Sequence, residues 1–242
     1  MIDYDAEAER YDAARGGEAR AAAAASAVEM LLPAGVRVLA DVACGTGIVT
    51  TRLRRSGRRV VAVDRSTGMA ARATGRLRGD VLLADATALP LRAARVDAVV
   101  MIWLLHLVPR PERILAEAAR VLGAGGTLIT TVDKDGAPFH ASSDTAELLR
   151  PLWQRYRHHA DGLDRTVASA ARLGLRAVGE ADFTGHGQGR GPGRWISGIR
   201  QGVIPWVRPT EYADLCRALA TLPEQDVPRP DPVYRVAAFR RI

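Results

Sequence analysis

An α/β fold built on a parallel sheet is predicted by three features of the sequence. Short apolar runs alternate with helical segments through the first half. Those runs are continuous, as strands buried on both faces require. A Gly-rich turn, Asp41-Val-Ala-Cys-Gly45-Thr-Gly47, follows the first of them. The expected architecture is a sheet with helices on both faces and a small cap.

The elements follow in order. Residues 1–35 read as a helical lid, with an Ala-rich helix over Glu18–Leu32 stopped by Pro33-Ala34-Gly35. A core over 36–135 opens with a strand at Val36–Ala40, followed by a helix over Ile48–Arg55. A second strand, Val60–Val63, ends at Asp64, and Ser66 caps a helix that runs to Leu77. Val81–Ala84 is a third strand ending at Asp85, and Val96–Trp103 is a fourth. Pro111 suits a first helical turn and starts a helix to Leu122; Gly125 and Gly126 then turn the chain into a strand at Thr127–Val132. Residues 136–242 complete the sheet, with its edge placed at Arg176–Phe183 and Tyr234–Phe239. Cap segments are expected over about 136–164 and 185–230. The cap helices are Thr145–His159, Trp195–Val203 and Thr210–Leu222, Arg165–Leu173 is a further helix between the cap segments, and the glycines from Gly185 to Gly193 read as a mobile lid.

Composition bounds the function. The chain has 242 residues, 48% hydrophobic and 25% charged, which suits one decorated α/β domain rather than a disordered chain or a disulfide scaffold. Its longest apolar run, Val96–Val108, is interrupted by Asp97 and His106 and falls short of the roughly 18 residues of a membrane helix. Asp3, Asp5, Glu7 and Glu9 do not form the basic-then-apolar pattern of a secretory signal, and Cys44 and Cys216 have no metal or redox spacing. A reduced, cytoplasmic setting is expected. The net charge is +7, yet Lys134 is the only lysine among 34 basic residues. The chain is also rich in Ala, Gly and Pro, so the excess of arginine reads as coding composition on a solvated surface rather than as a nucleic-acid footprint. No nucleic-acid or membrane partner is expected, and the chain is taken as a monomer or homodimer.

The Gly-rich turn carries the chemistry. Gly45 and Gly47 let backbone approach a ligand, and in open α/β sheets ligands sit at the carboxyl ends of the strands. A dinucleotide site would need a third glycine where Thr50 stands, and Asp41 would repel a pyrophosphate. Asp41 suits an ammonium group instead. Asp64 can accept the two hydroxyls of a ribose, and Asp85, followed by Ala86, can hold the edge of an adenine. A ligand with an amine, a ribose and an adenine but no phosphate is S-adenosylmethionine.

With these residues in view, 36–132 resembles the class I methyltransferase core, in the branch near the ubiquinone and menaquinone methyltransferases. The resemblance rests on Asp41–Gly47, Asp64, Asp85-Ala-Thr-Ala-Leu-Pro90, Trp103-Leu-Leu-His-Leu and Arg120-Val-Leu-Gly-Ala-Gly-Gly126. Ala43 stands where the family often has glycine. The resemblance implies a Rossmann-like, seven-stranded, mostly parallel sheet with an antiparallel last strand. It also implies that Tyr4–Gly17 closes over the cofactor, with Tyr11 and Arg15 at its methionine end. The expected cofactor residues are Tyr11, Arg15, Asp41, Ala43, Cys44, Gly45, Gly47, Asp64, Arg65, Met69, Asp85, Ala86 and Trp103. S-adenosylhomocysteine would be the product.

His106 follows the fourth strand, as a general base or as a histidine packed on an apolar face. His140, His158 and His159 read as surface or cap residues without metal spacing. Trp153, Trp195, Trp206 and Tyr156 are the candidate substrate contacts, or else they glue the cap to the sheet. The expected activity is methyl transfer to O, N or C of a small aromatic or polyketide-like acceptor by in-line displacement. The alternatives are an RNA methyltransferase, a cyclase-like relative that keeps the cofactor without methylating, and a nicotinamide oxidoreductase.

Overall fold

The computed structural model describes residues 3–79, 81–156 and 159–242; His158 lies outside them. The strands are β1 (Val38–Val42), β2 (Arg59–Asp64), β3 (Val81–Leu83), β4 (Val96–Met101), β5 (Leu122–Val132), β6 (Leu175–Thr184) and β7 (Val233–Arg241). They form one seven-stranded sheet in the order β3-β2-β1-β4-β5-β7-β6. β1 to β5 pair in parallel, and β7 runs antiparallel to both β5 and β6. The antiparallel last strand therefore sits inside the sheet, with β6 and β3 at the two edges, which corrects the expected edge at Tyr234–Phe239. β7 is apolar on both faces, as a central strand must be: Val236 and Ala238 are wholly buried on one side of the sheet and Phe239 on the other.

Successive strand residues face opposite sides of the sheet, so two cores form. Val99 and Met101 of β4 join one core, where helices α5 (Pro111–Val121) and α7 (Leu163–Arg172) pack through Leu115, Ala118 and Ala170. Ala98 and Val100 face the other core, against α3 (Gly17–Leu31). The buried stripe Ala21, Ala24, Ala25, Val28 of α3 has the spacing of one helix face, and its small side chains let the helix lie close on β6. A third apolar cluster, set apart from the sheet, joins α6 (Asp144–Arg155), α8 (Pro192–Arg200) and α9 (Tyr212–Ala220) around Phe139, Trp195 and Trp206. This cluster is the cap.

Three local expectations change. The lid is broken into α1 (Tyr4–Glu7), α2 (Tyr11–Ala14) and α3, with Gly16 and Gly17 in positive-φ conformations between the last two. The helix expected over Ile48–Arg55 is a single 3₁₀ turn, Thr50–Leu53. The Ile48 carbonyl accepts from the Arg52 guanidinium while the Arg52 N–H turns to the Val49 carbonyl, and the Thr50 hydroxyl ties the turn to Asp41. The Gly185–Gly193 loop is tied down rather than free. Asp231 accepts from the backbone N–H groups of Gly187, Gln188 and Gly189, and an added Cβ at Gly189 would come within 2.1 Å of the Arg229 carbonyl oxygen. These glycines serve close backbone packing.

Candidate functional site

The order of the strands reverses between β1 and β4, and a cavity of about 520 Å³ opens at the carboxyl ends there. Eleven of the expected cofactor residues line it: Tyr11, Asp41, Ala43, Cys44, Gly45, Asp64, Arg65, Met69, Asp85, Ala86 and Trp103. Gly47 does not. Its φ is +75°, and a Cβ there would press on Ala73 of α4 (Thr67–Leu77) at 3.3 Å, so its role is helix packing. Arg15 does not line this cavity either. It faces the neighbouring one, because the break at Gly16–Gly17 turns α2 across the gap between the two.

The turn is strapped to β2. The Cys44 N–H donates to the Val63 carbonyl at 3.0 Å, and the Gly45 N–H donates to Asp64 Oδ2 at 2.7 Å. Asp64 Oδ1 accepts from the Ser66 N–H at 2.9 Å, leaving lone pairs on both oxygens for a ligand. Asp85 Oδ1 takes both the N–H and the hydroxyl of Thr87, which holds its carboxyl below the usual range. Asp41 is buried with the Thr50 hydroxyl as its hydrogen-bonding partner at 2.6 Å. Burial pushes its pKa up to about 7 against that bond, and the Asp64 charge adds to the rise. A buried carboxylate with so little compensation suits an incoming ammonium. Burial, with Asp41 and Asp64 beside it, also raises the Cys44 thiol, which stays protonated and inert.

These donors and acceptors fit S-adenosylmethionine: Asp41 for the amine, Asp64 for the ribose hydroxyls and Asp85 for the adenine edge. Ala43 adopts φ +59° at the heart of the turn, a conformation that costs a residue with a Cβ about 1–2 kcal/mol and a glycine nothing. Trp103 is held at the same φ of +59°, an outlier for a bulky residue, with its N–H on the Thr131 hydroxyl at 2.7 Å.

Several contacts that shape the site escape a reading of the sequence. Asp5 accepts from Ser66 Oγ at 2.6 Å and from the Gly68 N–H at 2.8 Å, pinning α1 on the start of α4. Asp12 accepts from Thr46 Oγ1 at 2.6 Å and pairs with Arg76 at 2.8 Å, which clamps α2 over the Gly turn. Glu117 and Arg120 of α5 bind the backbone of Leu89 and Leu91 and so fix the loop that follows Asp85. The one signal that was available is Arg20, a lone cation on the Ala stripe of α3.

A second cavity, of about 260 Å³, abuts the first across Trp103, Tyr11 and Arg20. His106, Trp195 and Trp206 line it. Burial, aided by Lys134, pushes His106 down to about 3, so the imidazole is neutral at physiological pH and has weak affinity for a proton. Trp153 and Tyr156 line neither cavity, in keeping with the second of their two expected roles. Trp153 lies 5.8 Å from Phe139 and 5.1 Å from His159, ring to ring, and Tyr156 lies 5.0 Å from His159. They hold the cap together. His140 is exposed. Among the described residues no helix is long and apolar enough to cross a membrane.

Comparison with known proteins agrees with this geometry. Residues 40–130 match the family model described as a methyltransferase domain. An uncharacterized methyltransferase of Mycobacterium tuberculosis, Rv3342, is 43% identical over 103 residues, covering 42% of each chain. The chain thus aligns with less than half the length of that relative. A ubiquinone biosynthesis O-methyltransferase of Xanthomonas oryzae is 33% identical over 152 residues, covering 58% of this chain and 61% of that one. The crystal structure of geranyl diphosphate C-methyltransferase from Streptomyces coelicolor, in complex with S-adenosyl-L-homocysteine, superposes with a TM-score of 0.54 at 16% identity, covering 91% and 79% of the two chains. The strand order, the Gly turn and these matches agree: residues 40–130 are similar to the methyltransferase domain family.

Proposed function

We propose that the protein transfers a methyl group from S-adenosylmethionine to a small-molecule acceptor. The observation that carries this reading is Asp41, a buried carboxylate at a cavity wall with one hydroxyl to compensate it. Asp64 and Asp85 extend the same wall with acceptors for a ribose and an adenine.

Bound S-adenosylmethionine supplies an already activated methyl group on a sulfonium. The chain's task is then to align the acceptor and keep water out. Asp5 and Asp12 hold the N-terminal helices closed over the turn, and Trp103 stands between the two cavities. The acceptor's place is the second cavity, where Trp195 and Trp206 offer flat apolar surface to an aromatic or polyketide-like body. Neutral His106 would accept a hydrogen bond from a hydroxyl or amine nucleophile there. Its low proton affinity favours acceptors that lose their own proton readily. O, N and C targets all remain compatible with this arrangement, in a monomeric or homodimeric cytoplasmic enzyme.

Calorimetric titration with S-adenosylmethionine and S-adenosylhomocysteine tests the reading. Micromolar binding that is lost in Asp64→Ala supports it. Absence of binding by either compound to folded wild-type protein overturns it, and salt-dependent RNA binding would favour an RNA substrate instead.

A further inference from the structure

The second cavity has an unusual charge. Five cationic side chains line it (Arg15, Arg20, Lys134, Arg190 and Arg194), against the single carboxylate of Asp135. Asp135 is already committed to Lys134 at 3.1 Å. Arg20 lies 3.9 Å from the Trp103 ring and reaches Gln188 at 3.4 Å, with its Nε unbonded. The guanidiniums of Arg15, Arg190 and Arg194 have no hydrogen bond or ion pair among the described residues; Arg190 rests 4.8 Å from the Trp195 ring.

Other sheltered arginines among the described residues have partners, several of them carboxylates. Arg58 meets Glu29 at 2.5 Å, Arg76 meets Asp12 at 2.8 Å and Arg229 meets Asp144 at 2.6 Å. Withdrawing a cation from water without a counter-charge is costly, so half-buried, unpaired Arg15 and Arg190, with exposed Arg194 beside them, mark a place where the counter-charge comes from outside. Burial, and then the charge of Arg194, lowers the proton affinity of Arg190, which shows the same deficit. Arg15 can turn to the carboxylate of the cofactor. Arg190 and Arg194 line only the second cavity and remain for the acceptor.

We propose that the acceptor is a small organic acid whose carboxylate or phosphate is held by Arg190 and Arg194, with its apolar body against Trp195 and Trp206. The size agrees: an apolar cavity of about 150 Å³ accommodates benzene, and this one, at about 260 Å³, has room for one ring and an anionic substituent. A guanidinium fork suits either anion through paired N–H donors.

This inference rests on the methyltransferase reading for its identification of the ligand as the acceptor. Its test is separate. The full chain is titrated calorimetrically with benzoate, phenyl phosphate and their neutral counterpart benzyl alcohol, alone and with saturating S-adenosylhomocysteine. The expected result is saturable millimolar binding of at least one acid, about tenfold or more tighter than the alcohol. That binding weakens about tenfold in Arg190→Gln and is unchanged in Arg200→Gln, an exposed arginine on the same helix as Arg194. Preference for benzoate or for phenyl phosphate identifies the anion. Arg190→Lys keeps the charge without the fork and retains part of the affinity. Since Arg190 has no carboxylate partner, Arg190→Gln keeps or raises the melting temperature, which separates loss of the site from loss of the fold. Binding of the alcohol as tight as the acids, no saturable binding of either acid, or unchanged acid binding in Arg190→Gln overturns the proposal. If the acids bind and S-adenosylhomocysteine does not, the cofactor reading fails while the anion site stands. If S-adenosylhomocysteine binds and the acids show no preference, the reverse holds.

Discussion

The two adjoining cavities are built in opposite ways. The first is walled by carboxylates at the ends of neighbouring strands, Asp41, Asp64 and Asp85, each fixed by a hydrogen bond to its own turn or to the next. The second is walled by cations and tryptophans drawn from segments more than 200 residues apart in the chain, from Tyr4 to Tyr234. The carboxyl ends of the parallel strands assemble the first, whereas cap packing assembles the second. The first therefore presents acceptors fixed by neighbouring turns, and the second a charge and a size set by the packing of distant segments.

The largest expected effect falls on the first cavity. Asp64→Ala removes two acceptor oxygens and weakens S-adenosylmethionine binding by about 100-fold, equivalent to roughly 3 kcal/mol. If calorimetry finds wild-type affinity, the carboxylate wall is not the cofactor site and the contrast fails. Next is Trp153→Ala in the cap. It costs about 3 kcal/mol of stability and lowers the melting temperature by roughly 6–12 °C, with cofactor affinity intact. A loss of ligand affinity at unchanged stability would return Trp153 to a binding role.

Asp12→Ala unclamps α2 from Thr46 and Arg76. Cofactor affinity should fall about tenfold, and limited proteolysis should cut earlier within residues 3–17. Equal digestion rates would show that the closure does not depend on Asp12.

Asp41 sharpens the comparison through pH. Its folded pKa, about 7, lies above the ordinary value of 3.8. Between these values the folded chain binds more protons than the unfolded one, so stability falls as pH rises through this window. Asp41→Asn should therefore raise the melting temperature of the ligand-free protein at pH 8 by about 2–4 °C, and change it little at pH 4. Cofactor binding in this variant should weaken, because the ammonium loses its counter-charge. A melting curve indifferent to both pH and substitution would mean that Asp41 is already compensated. The smallest effect is Ala43→Gly. Relief of the left-handed backbone exceeds the added freedom of the unfolded chain by about 1 kcal/mol or less, visible as a melting point a few degrees higher. A decrease would show that the Ala43 methyl group contributes to the cavity wall.

How much of this was legible follows from the range of the interactions. Apolar runs and glycines announce strands and turns because those depend on neighbours in sequence, so β1 to β5 and the three strand-end aspartates could be read directly. The 3₁₀ turn at Thr50–Leu53 could not, since Arg52 and Asp41 tie it down through side-chain contacts that spacing does not reveal. Gly47 looked like a ligand-binding glycine and serves the packing of Ala73 instead. Trp153 and Trp195 looked alike as cap aromatics; one lies behind Phe139 and the other lines a cavity.

Hydrophobic continuity and strand-to-turn spacing were thus enough to place the parallel strands and the three aspartates at their ends, because each depends on residues a few positions apart. The position of β7 inside the sheet, the clamp of Asp5 and Asp12, and the cationic second cavity depend on contacts between distant segments. Such contacts are set by which apolar faces remain to be buried once the sheet has formed, and they have no period in the chain by which to be read.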